Sequence, residues 1–127
     1  MMRKFGLIGF PLGHSFSKKY FTEKFQLLHF DNCEYLNFDI DSIKEFPKII
    51  AENKGLKGLN VTIPYKEDII PYLDGLSKTA QKIGAVNTIS VGKGKKLKGH
   101  NTDHYGFRKS LSPLLEKHHK KALILGT

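Results

Sequence analysis

Small polar side chains and a lysine stand where one apolar, strand-like segment of this chain ends. In the run LNVTIPYKED (59–68), Asn60 and Thr62 alternate with leucine, valine and isoleucine, and Pro64 then ends the strand pattern. Lys66 follows two residues later. Amide and hydroxyl groups can hold a polar ligand, and a lysine ammonium can donate a proton to it. These residue types indicate a small-molecule site at the end of a strand.

Two more groups of polar residues follow other predicted elements. Ser15 and Ser17 stand one residue apart just before a predicted helix, where hydroxyl donors near the positive helix end suit a carboxylate. Ser17 alone is better explained as a plain helix N-cap. Asp103, in the turn HNTD (100–103), could form a proton-transfer pair with Lys66. The alternative is a surface salt bridge of little energetic value, and spacing alone favours neither explanation.

Alternating strands and helices have to position these groups. Apolar runs predict buried strands at 4–10, 33–40 and 58–63, and a hairpin of two short strands at 87–101. Helices are predicted from Ser17, from Ser42 (or one turn later, because of Pro47) to about Asn53, at 66–74, at 77–83, and from Asp103 as a favourable cap. The last helix carries Phe107, Leu111, Leu114 and Leu115 on one face, and a final buried strand is predicted at 121–127.

This order of elements predicts an α/β domain of three layers, in which helices flank a mostly parallel, mixed sheet. Ligands of such sheets bind beyond the carboxyl ends of the strands. The loops after the first and third strands, the hairpin and the HNTD turn should therefore meet at one rim of the domain.

Length and composition are those of one ordinary globular domain. The chain has 127 residues, of which 39% are hydrophobic and 26% are charged. No apolar run reaches the ~20 residues of a membrane span, and the first ten residues lack the features of a signal peptide, so no membrane partner is expected. Cys33 is the only cysteine, which favours a reducing cytoplasm. Its place in a predicted strand favours a small core residue over a nucleophile.

The net charge of +9 has two explanations. Nucleic-acid binding is one, because lysine-rich surfaces attract phosphate. A solvated surface that collects small anionic substrates is favoured instead, since the lysines are scattered outside KGKK (93–96) and KHHKK (117–121) and no nucleic-acid-binding motif occurs. The six histidines show no spacing typical of metal ligands, so no metal site is predicted.

Four segments together resemble the shikimate dehydrogenase family. They are GFPLGHSFS (9–17), GLNVTIPYK (58–66), GAVNT (84–88) and GHNTDHYGF (99–107), in the family's order and spread over nearly the whole chain. The resemblance implies an oxidoreductase that reduces 3-dehydroshikimate to shikimate with NADPH, in aromatic amino-acid (chorismate) biosynthesis. It also implies that residues 1–120 are the amino-terminal, substrate-binding catalytic domain.

The resemblance also implies roles for individual residues. Ser15 and Ser17 would hold the substrate carboxylate, while Asn60, Thr62, Asn87 and Asp103 would bind the ring hydroxyls. Lys66 and Asp103 would be the catalytic pair, with Lys66 as the proton donor and a contact of the substrate. One departure is KKYFT (18–22), where the family often has proline and then a His-Asn pair. This departure concerns the first turn of the helix and neither serine.

The last residues resemble the start of a second domain. ALILGT (122–127) is similar to the first strand and first glycine of a Rossmann nucleotide-binding domain, whose remainder is absent from this chain. Residues 121–127 would then be its first strand, and NADP would bind in the missing part, as would a further substrate-contacting glutamine. The chain alone is expected to be inactive. The sequence does not indicate an oligomeric state.

The alternative function is a non-catalytic basic module that binds a small carboxylate or a nucleic acid. The serine pair, NVTIPYK and NTD argue against it, because a generic basic binder has no need of them. Binding to a phosphate backbone would also weaken steeply as salt rises.

Overall fold

Six strands form one mixed sheet in residues 1–126, the part of the chain that the computed structural model describes. In chain order, the strands and α-helices are β1 (Arg3–Gly9), α1 (Ser17–Leu27), β2 (Cys33–Asp39), α2 (Phe46–Glu52), β3 (Leu56–Val61), β4 (Gly75–Leu76), α3 (Lys78–Ile83), β5 (Thr88–Val91), β6 (Leu97–His100) and α4 (Asp103–Leu111). Short 3-10 turns cover Ile43–Glu45, Ile70–Tyr72, Lys93–Lys95 and Ser112–Leu114.

The sheet has the strand order β2-β1-β3-β5-β6-β4. β1 runs parallel to both β2 and β3, and β4 runs parallel to β6. β5 is antiparallel to β3 and to β6, with which it forms the predicted hairpin. The prediction of a mixed, mostly parallel sheet is therefore confirmed. The register places Asn60 beside Leu7 on one side and Thr88 on the other.

Alternation along β3 divides the core between the two faces of the sheet. Leu59 and Val61 are each 2% exposed and belong to the larger cluster, which Phe46 of α2 and Ala80 of α3 complete. Asn60 points to the opposite face, because successive side chains of a strand alternate. There α1 covers a smaller cluster of Leu7, Leu12 and Tyr35 with its residues Phe21 and Phe25. The helices on both faces give the three predicted layers.

Local capping explains two of the predicted helices. The Ser77 hydroxyl accepts a hydrogen bond from the Ala80 amide at 3.1 Å and so starts α3, and Gly84 ends it at φ 76°, where a residue without Cβ is favoured. α2 begins at Phe46, one turn after Ser42, as Pro47 predicted. Proline fits the first helical turn because the amides there have no partner within the helix.

Three details of the sequence prediction are wrong. Residues 66–74 contain only the turn Ile70–Tyr72 instead of a helix, because Pro71 and Gly75 leave too few residues to propagate one. α4 ends at Leu111, so Leu114 and Leu115 lie beyond it. Residues 121–126 form no strand, since no other described segment pairs with them. Thr127 lies outside the described residues.

The segment after β6 carries exposed apolar side chains. Phe107, Leu114 and Leu123 are 69%, 71% and 83% exposed.

The described helices include none with the length and apolar character required to cross a membrane.

Candidate active site

The two predicted serines and Thr62 line the same open cleft, whose volume is about 470 Å³. Ser15 lies in the loop between β1 and α1, and Ser17 is the first residue of α1. The Ser17 amide donates to Ser15 Oγ at 3.4 Å. The amide of Thr62 donates to the Ile8 carbonyl at 2.9 Å, which holds Thr62 against the end of β1. Gly9 permits this approach, because a Cβ there would lie 2.5 Å from the Thr62 methyl group.

Asn60 lies next to this cleft, on the face of the sheet that α1 covers. Its Oδ1 accepts a hydrogen bond from the Tyr35 hydroxyl at 2.7 Å. Its Nδ2 donates to Thr88 Oγ1 at 3.5 Å. Asn60, Thr88 and Tyr35 also line a mainly apolar cavity of about 320 Å³ beneath α1. The Asn60 amide is therefore held by side chains from two other strands, Tyr35 of β2 and Thr88 of β5.

Asn87 connects the central strands to the start of α4. Its main chain donates to the His100 carbonyl at 3.0 Å and accepts from the Val61 amide at 2.8 Å. Its side chain forms a reciprocal pair with Thr102: Nδ2 donates to Thr102 Oγ1 and Oδ1 accepts from the Thr102 amide, both at 2.8 Å. One Nδ2 hydrogen of Asn87 is left over for a ligand. Asn87 thus braces the turn that carries Asp103.

Lys66 and Asp103, which are 37 positions apart in the chain, form an ion pair. Lys66 Nζ lies 2.6 Å from Asp103 Oδ2, and the two side chains are 36% and 56% exposed. The Lys66 carbonyl accepts from the Val86 amide at 2.7 Å, so the turn that carries the lysine is tied to the segment before β5. An ion pair as exposed as this contributes only about 0–1 kcal/mol to stability.

Asp103 is the first residue of α4 but its side chain does not cap the helix, which corrects the sequence prediction. Asn101 takes that role, because its Oδ1 accepts from the His104 amide at 3.0 Å. Asn101 Nδ2 also donates to the Ala85 carbonyl at 3.1 Å. Since Asn101 secures the start of the helix, the Asp103 carboxylate is available to Lys66.

The structure thus places Ser15, Ser17 and Thr62 along one cleft and pairs Lys66 with Asp103. It links Asn60 to Asn87 through Thr88. That all seven residues serve one substrate site stays a prediction. Sequence reasoning assigned no role to Tyr35, Thr88, Thr102 and Asn101. Thr88, Asn101 and Thr102 lie inside the quoted motifs, where their hydroxyl and amide groups could have indicated a role in hydrogen bonding. Tyr35 lies in a strand without such a motif, and its partner Asn60 is 25 positions away.

Burial raises the pKa of the Tyr35 hydroxyl to about 12, and the nearby hydroxyl of Ser17 opposes this with a smaller lowering. At neutral pH, Tyr35 therefore keeps its proton and remains a hydrogen-bond donor. A row of polar groups therefore leads from the start of α1 to β5, formed by Ser17, Tyr35, Asn60 and Thr88.

Residues 1–126 do not fit a nicotinamide dinucleotide. Such a ligand needs a glycine-rich turn that leads from a strand into a helix, so that amides at the helix start can meet its phosphates. The described chain has no turn of this kind, and Gly126 follows residues that form no strand. Nor do three His, Cys, Asp or Glu side chains of the described part lie close enough together to hold a metal ion.

Comparison with known proteins identifies the family. A family model described as the shikimate dehydrogenase substrate binding domain matches residues 7–89. A shikimate dehydrogenase (NADP(+)) from Staphylococcus epidermidis is 43% identical over 114 residues, which are 89% of this chain and 42% of that protein.

Solved structures agree with this match. The crystal structure of shikimate dehydrogenase from Aquifex aeolicus has a TM-score of 0.78 at 41% identity, covering 90% of this chain and 42% of the other. For the Thermus thermophilus enzyme in complex with NADP(H) and shikimate, the TM-score is 0.77 at 33% identity, over 88% and 42% of the two chains. The chain spans about two fifths of the length of these relatives, and it belongs to the family of shikimate dehydrogenase substrate-binding domains.

Proposed function

We propose that this chain is the substrate-binding half of an NADP-dependent shikimate dehydrogenase, which reduces 3-dehydroshikimate to shikimate in chorismate biosynthesis. The observation that carries the proposal is the 2.6 Å contact between Lys66 Nζ and Asp103 Oδ2. It joins two motifs that are distant in the sequence, and Asn87 of a third motif is bonded to Thr102, the neighbour of Asp103. A surface salt bridge without function would not need these neighbours.

The cleft suits a small, hydroxylated carboxylic acid. Ser15 and Ser17 offer hydroxyl donors to the carboxylate at the start of α1. On the other side, Asn60 and Asn87 each have an Nδ2 hydrogen for a ring hydroxyl oxygen. Donors at two ends of the cleft fix the orientation of a rigid ring, and this brings its carbonyl towards Lys66.

The chain's own part of the reaction is a proton transfer. When bound by the second domain, NADPH would supply the hydride for this reduction, which would leave the electron pair of the C=O bond on the carbonyl oxygen. Lys66 donates a proton to that oxygen, which completes the hydroxyl, and is afterwards reprotonated from solvent. Asp103 holds the ammonium in place and binds a neighbouring hydroxyl. In the reverse direction, Lys66 accepts the proton.

The proposal also assigns two parts of the chain to different domains. Residues 1–120 bind substrate, and residues 121–127 begin the nucleotide-binding domain that holds NADP. A reducing cytoplasm is the proposed compartment, because the lone Cys33 has no disulfide partner in this chain. The partner is the small-molecule substrate rather than nucleic acid or a membrane, and we propose no oligomeric state.

A titration of the ¹⁵N-labelled chain with shikimate tests the binding site. We expect weak binding of shikimate, with a Kd of about 1 mM. The largest chemical-shift changes of backbone amides should occur at Ser15, Ser17 and Asn60. NADPH should cause no shifts, and dehydrogenase activity should be absent until the second domain is present. Micromolar binding of NADPH to this chain would contradict the proposed division. Shikimate shifts at α2 alone would contradict the site.

The basic-module alternative predicts a different result. A chain that binds through scattered lysines should bind any polyanion, and this binding should weaken steeply between about 50 and 200 mM salt, on the scale of 10³-fold or more for several phosphate contacts. We expect shikimate binding to change far less over this range, because one carboxylate releases few counterions. Tight, salt-sensitive binding of a random oligonucleotide without shikimate binding would favour the module.

A further inference from the structure

The hydroxyl of Tyr35 is held at a fixed point beside the site. Tyr35 lies in β2 and is 4% exposed. Its ring stacks on Phe21 of α1, with centroids 4.7 Å apart and 12° between the planes. Leu7 and Leu12 complete this core cluster. A ring that is both buried and stacked has little freedom to shift, so the core determines where its hydroxyl lies.

This hydroxyl and Thr88 together determine which way the Asn60 amide faces, because Thr88 Oγ1 donates to Asn87 Oδ1 at 3.2 Å and is left to accept from Asn60. The Tyr35 hydroxyl donates to Asn60 Oδ1 at 2.7 Å, a good hydrogen-bond distance. The two ends of an asparagine amide have nearly the same shape, so hydrogen-bond partners decide between its two orientations. With Oδ1 turned to Tyr35, Nδ2 turns towards Thr88, at 3.5 Å from its Oγ1. One Nδ2 hydrogen then remains for a ligand.

We propose that Tyr35 is a positioning residue, which acts through Asn60 to present an N–H donor rather than a carbonyl oxygen to the substrate. The identity of the ligand rests on the proposed function, whereas the orientation of Asn60 does not. A donor at this position selects a ligand that carries an oxygen acceptor there, such as a ring hydroxyl or carboxylate oxygen. A ligand with an N–H group at the same place would set its own donor against the Asn60 donor, and the two could not form a hydrogen bond.

The first test needs no ligand. Tyr35→Phe keeps the stacked ring and removes only the hydroxyl, so the Asn60 amide loses what fixes it. In the ¹⁵N-labelled chain, the side-chain NH₂ resonances of Asn60, assigned by their loss in Asn60→Asp, should shift or broaden.

Tyr65→Phe is the matched control. The Tyr65 hydroxyl is also buried and donates at 2.6 Å, but to the Ile40 carbonyl, and Tyr65 belongs to the other core cluster. It should lower stability by a similar amount and leave the Asn60 resonances in place. Unchanged Asn60 resonances in Tyr35→Phe would overturn the inference, whatever the chain binds.

The second test measures coupling in shikimate binding. Tyr35→Phe should weaken binding by about 5- to 10-fold, the scale of one neutral hydrogen bond. Asn60→Ala should weaken it at least as much. Because Tyr35 acts through Asn60, adding Tyr35→Phe to Asn60→Ala should cause no further loss.

The two proposals fail in different ways. If the parent chain binds shikimate and Tyr35→Phe binds equally well, or if the two losses add in full, the positioning role is wrong. If the parent chain binds no shikimate while Tyr35→Phe alone disturbs Asn60, the positioning role stands and the proposed ligand is wrong.

Discussion

The two sides of the candidate site are built differently. On the side of Asn60, the polar groups stand on strands and rest on a buried aromatic cluster that includes Tyr35. On the other side, Lys66 lies in a turn and Asp103 at the start of α4, and their side chains are 36% and 56% exposed. One side is fixed by the core, and the other is held by hydrogen bonds at the surface.

Under the proposed function, the difference separates substrate binding from proton transfer. Groups fixed by a core can orient a substrate without further ordering, because the entropy of ordering them was lost on folding. An exposed ion pair is weakened by water, and its interaction strengthens several-fold when water is removed. In the proposed two-domain enzyme, closure over substrate would therefore act mainly on the pair of Lys66 and Asp103.

Lys66→Ala is the change with the largest expected effect. In the two-domain enzyme it removes the proton donor, so kcat should fall by at least ~100-fold, the scale of general acid catalysis. KM should change little, because the core-fixed side still holds the substrate. Steady-state kinetics measures both. Lys57→Ala, at an exposed lysine of β3, is the control. A kcat within a few-fold of the parent would remove Lys66 from the reaction.

Asp103→Asn should have the next largest effect. It keeps the shape of the side chain and removes the charge that holds Lys66, so activity should fall by about 10-fold or more, the scale of a charged hydrogen bond. Stability should fall by no more than about 1 kcal/mol, because Asn101 caps α4 and the lost ion pair is exposed and contributes little.

Ser77→Ala is the matched control, since it removes the cap of α3 and should lower stability while leaving α4 and the ion pair intact. Thermal melts with parallel rate measurements separate the two. A collapse of the melting temperature in Asp103→Asn would make Asp103 mainly structural.

Ser17→Ala tests substrate binding without touching the ion pair. It removes one donor to a charged carboxylate, and KM should rise by about 10-fold with kcat nearly unchanged. Ser15→Ala should behave in the same way, because both serines line the cleft with Thr62. Ser110→Ala is the control, since its hydroxyl bonds only to the Gly106 carbonyl within α4. Loss of kcat at unchanged KM would move the serines out of the carboxylate role.

Much of the fold was predictable because its signals are local. Apolar alternation predicted β3 and the hairpin, and Ser77 with Gly84 predicted both ends of α3. The helix expected at 66–74 is absent because Pro71 interrupts it and because the Lys66 carbonyl accepts from the Val86 amide instead of from an amide one turn further on. β4 was missed because two residues carry no strand pattern and pair only with β6.

The site was predictable where its residues follow strand ends, and less so where they depend on distant partners. The sheet topology predicted the grouping of Ser15, Ser17 and Thr62 along one cleft. The hydrogen bond from Tyr35 to Asn60 spans 25 positions and leaves no sequence pattern. The cap of α4 was assigned to Asp103 because aspartate is a good cap, although Asn101 forms it.

Tyr35→Phe should have the smallest effect, on the pH dependence of stability. Burial raises the pKa of Tyr35 to about 12, whereas a tyrosine in the unfolded chain has the ordinary pKa of 10.0. Between these values the unfolded chain releases this proton and the folded chain keeps it, so the group's contribution to stability is complete below about pH 10 and is lost as pH rises to about 12. The parent should therefore lose more free energy of unfolding over this range than Tyr35→Phe.

Urea unfolding at about pH 9 and about pH 11.5, on either side of the unfolded pKa, measures this difference. Other titrating groups cancel in the comparison, because both proteins share them. Tyr20→Phe is the control, since Tyr20 is 42% exposed on α1, and it should follow the parent curve. Equal losses in the parent and in Tyr35→Phe would mean that the hydroxyl of Tyr35 is not held in a buried site. The contrast between a core-fixed and a surface-held side of the cleft would then lose its main support.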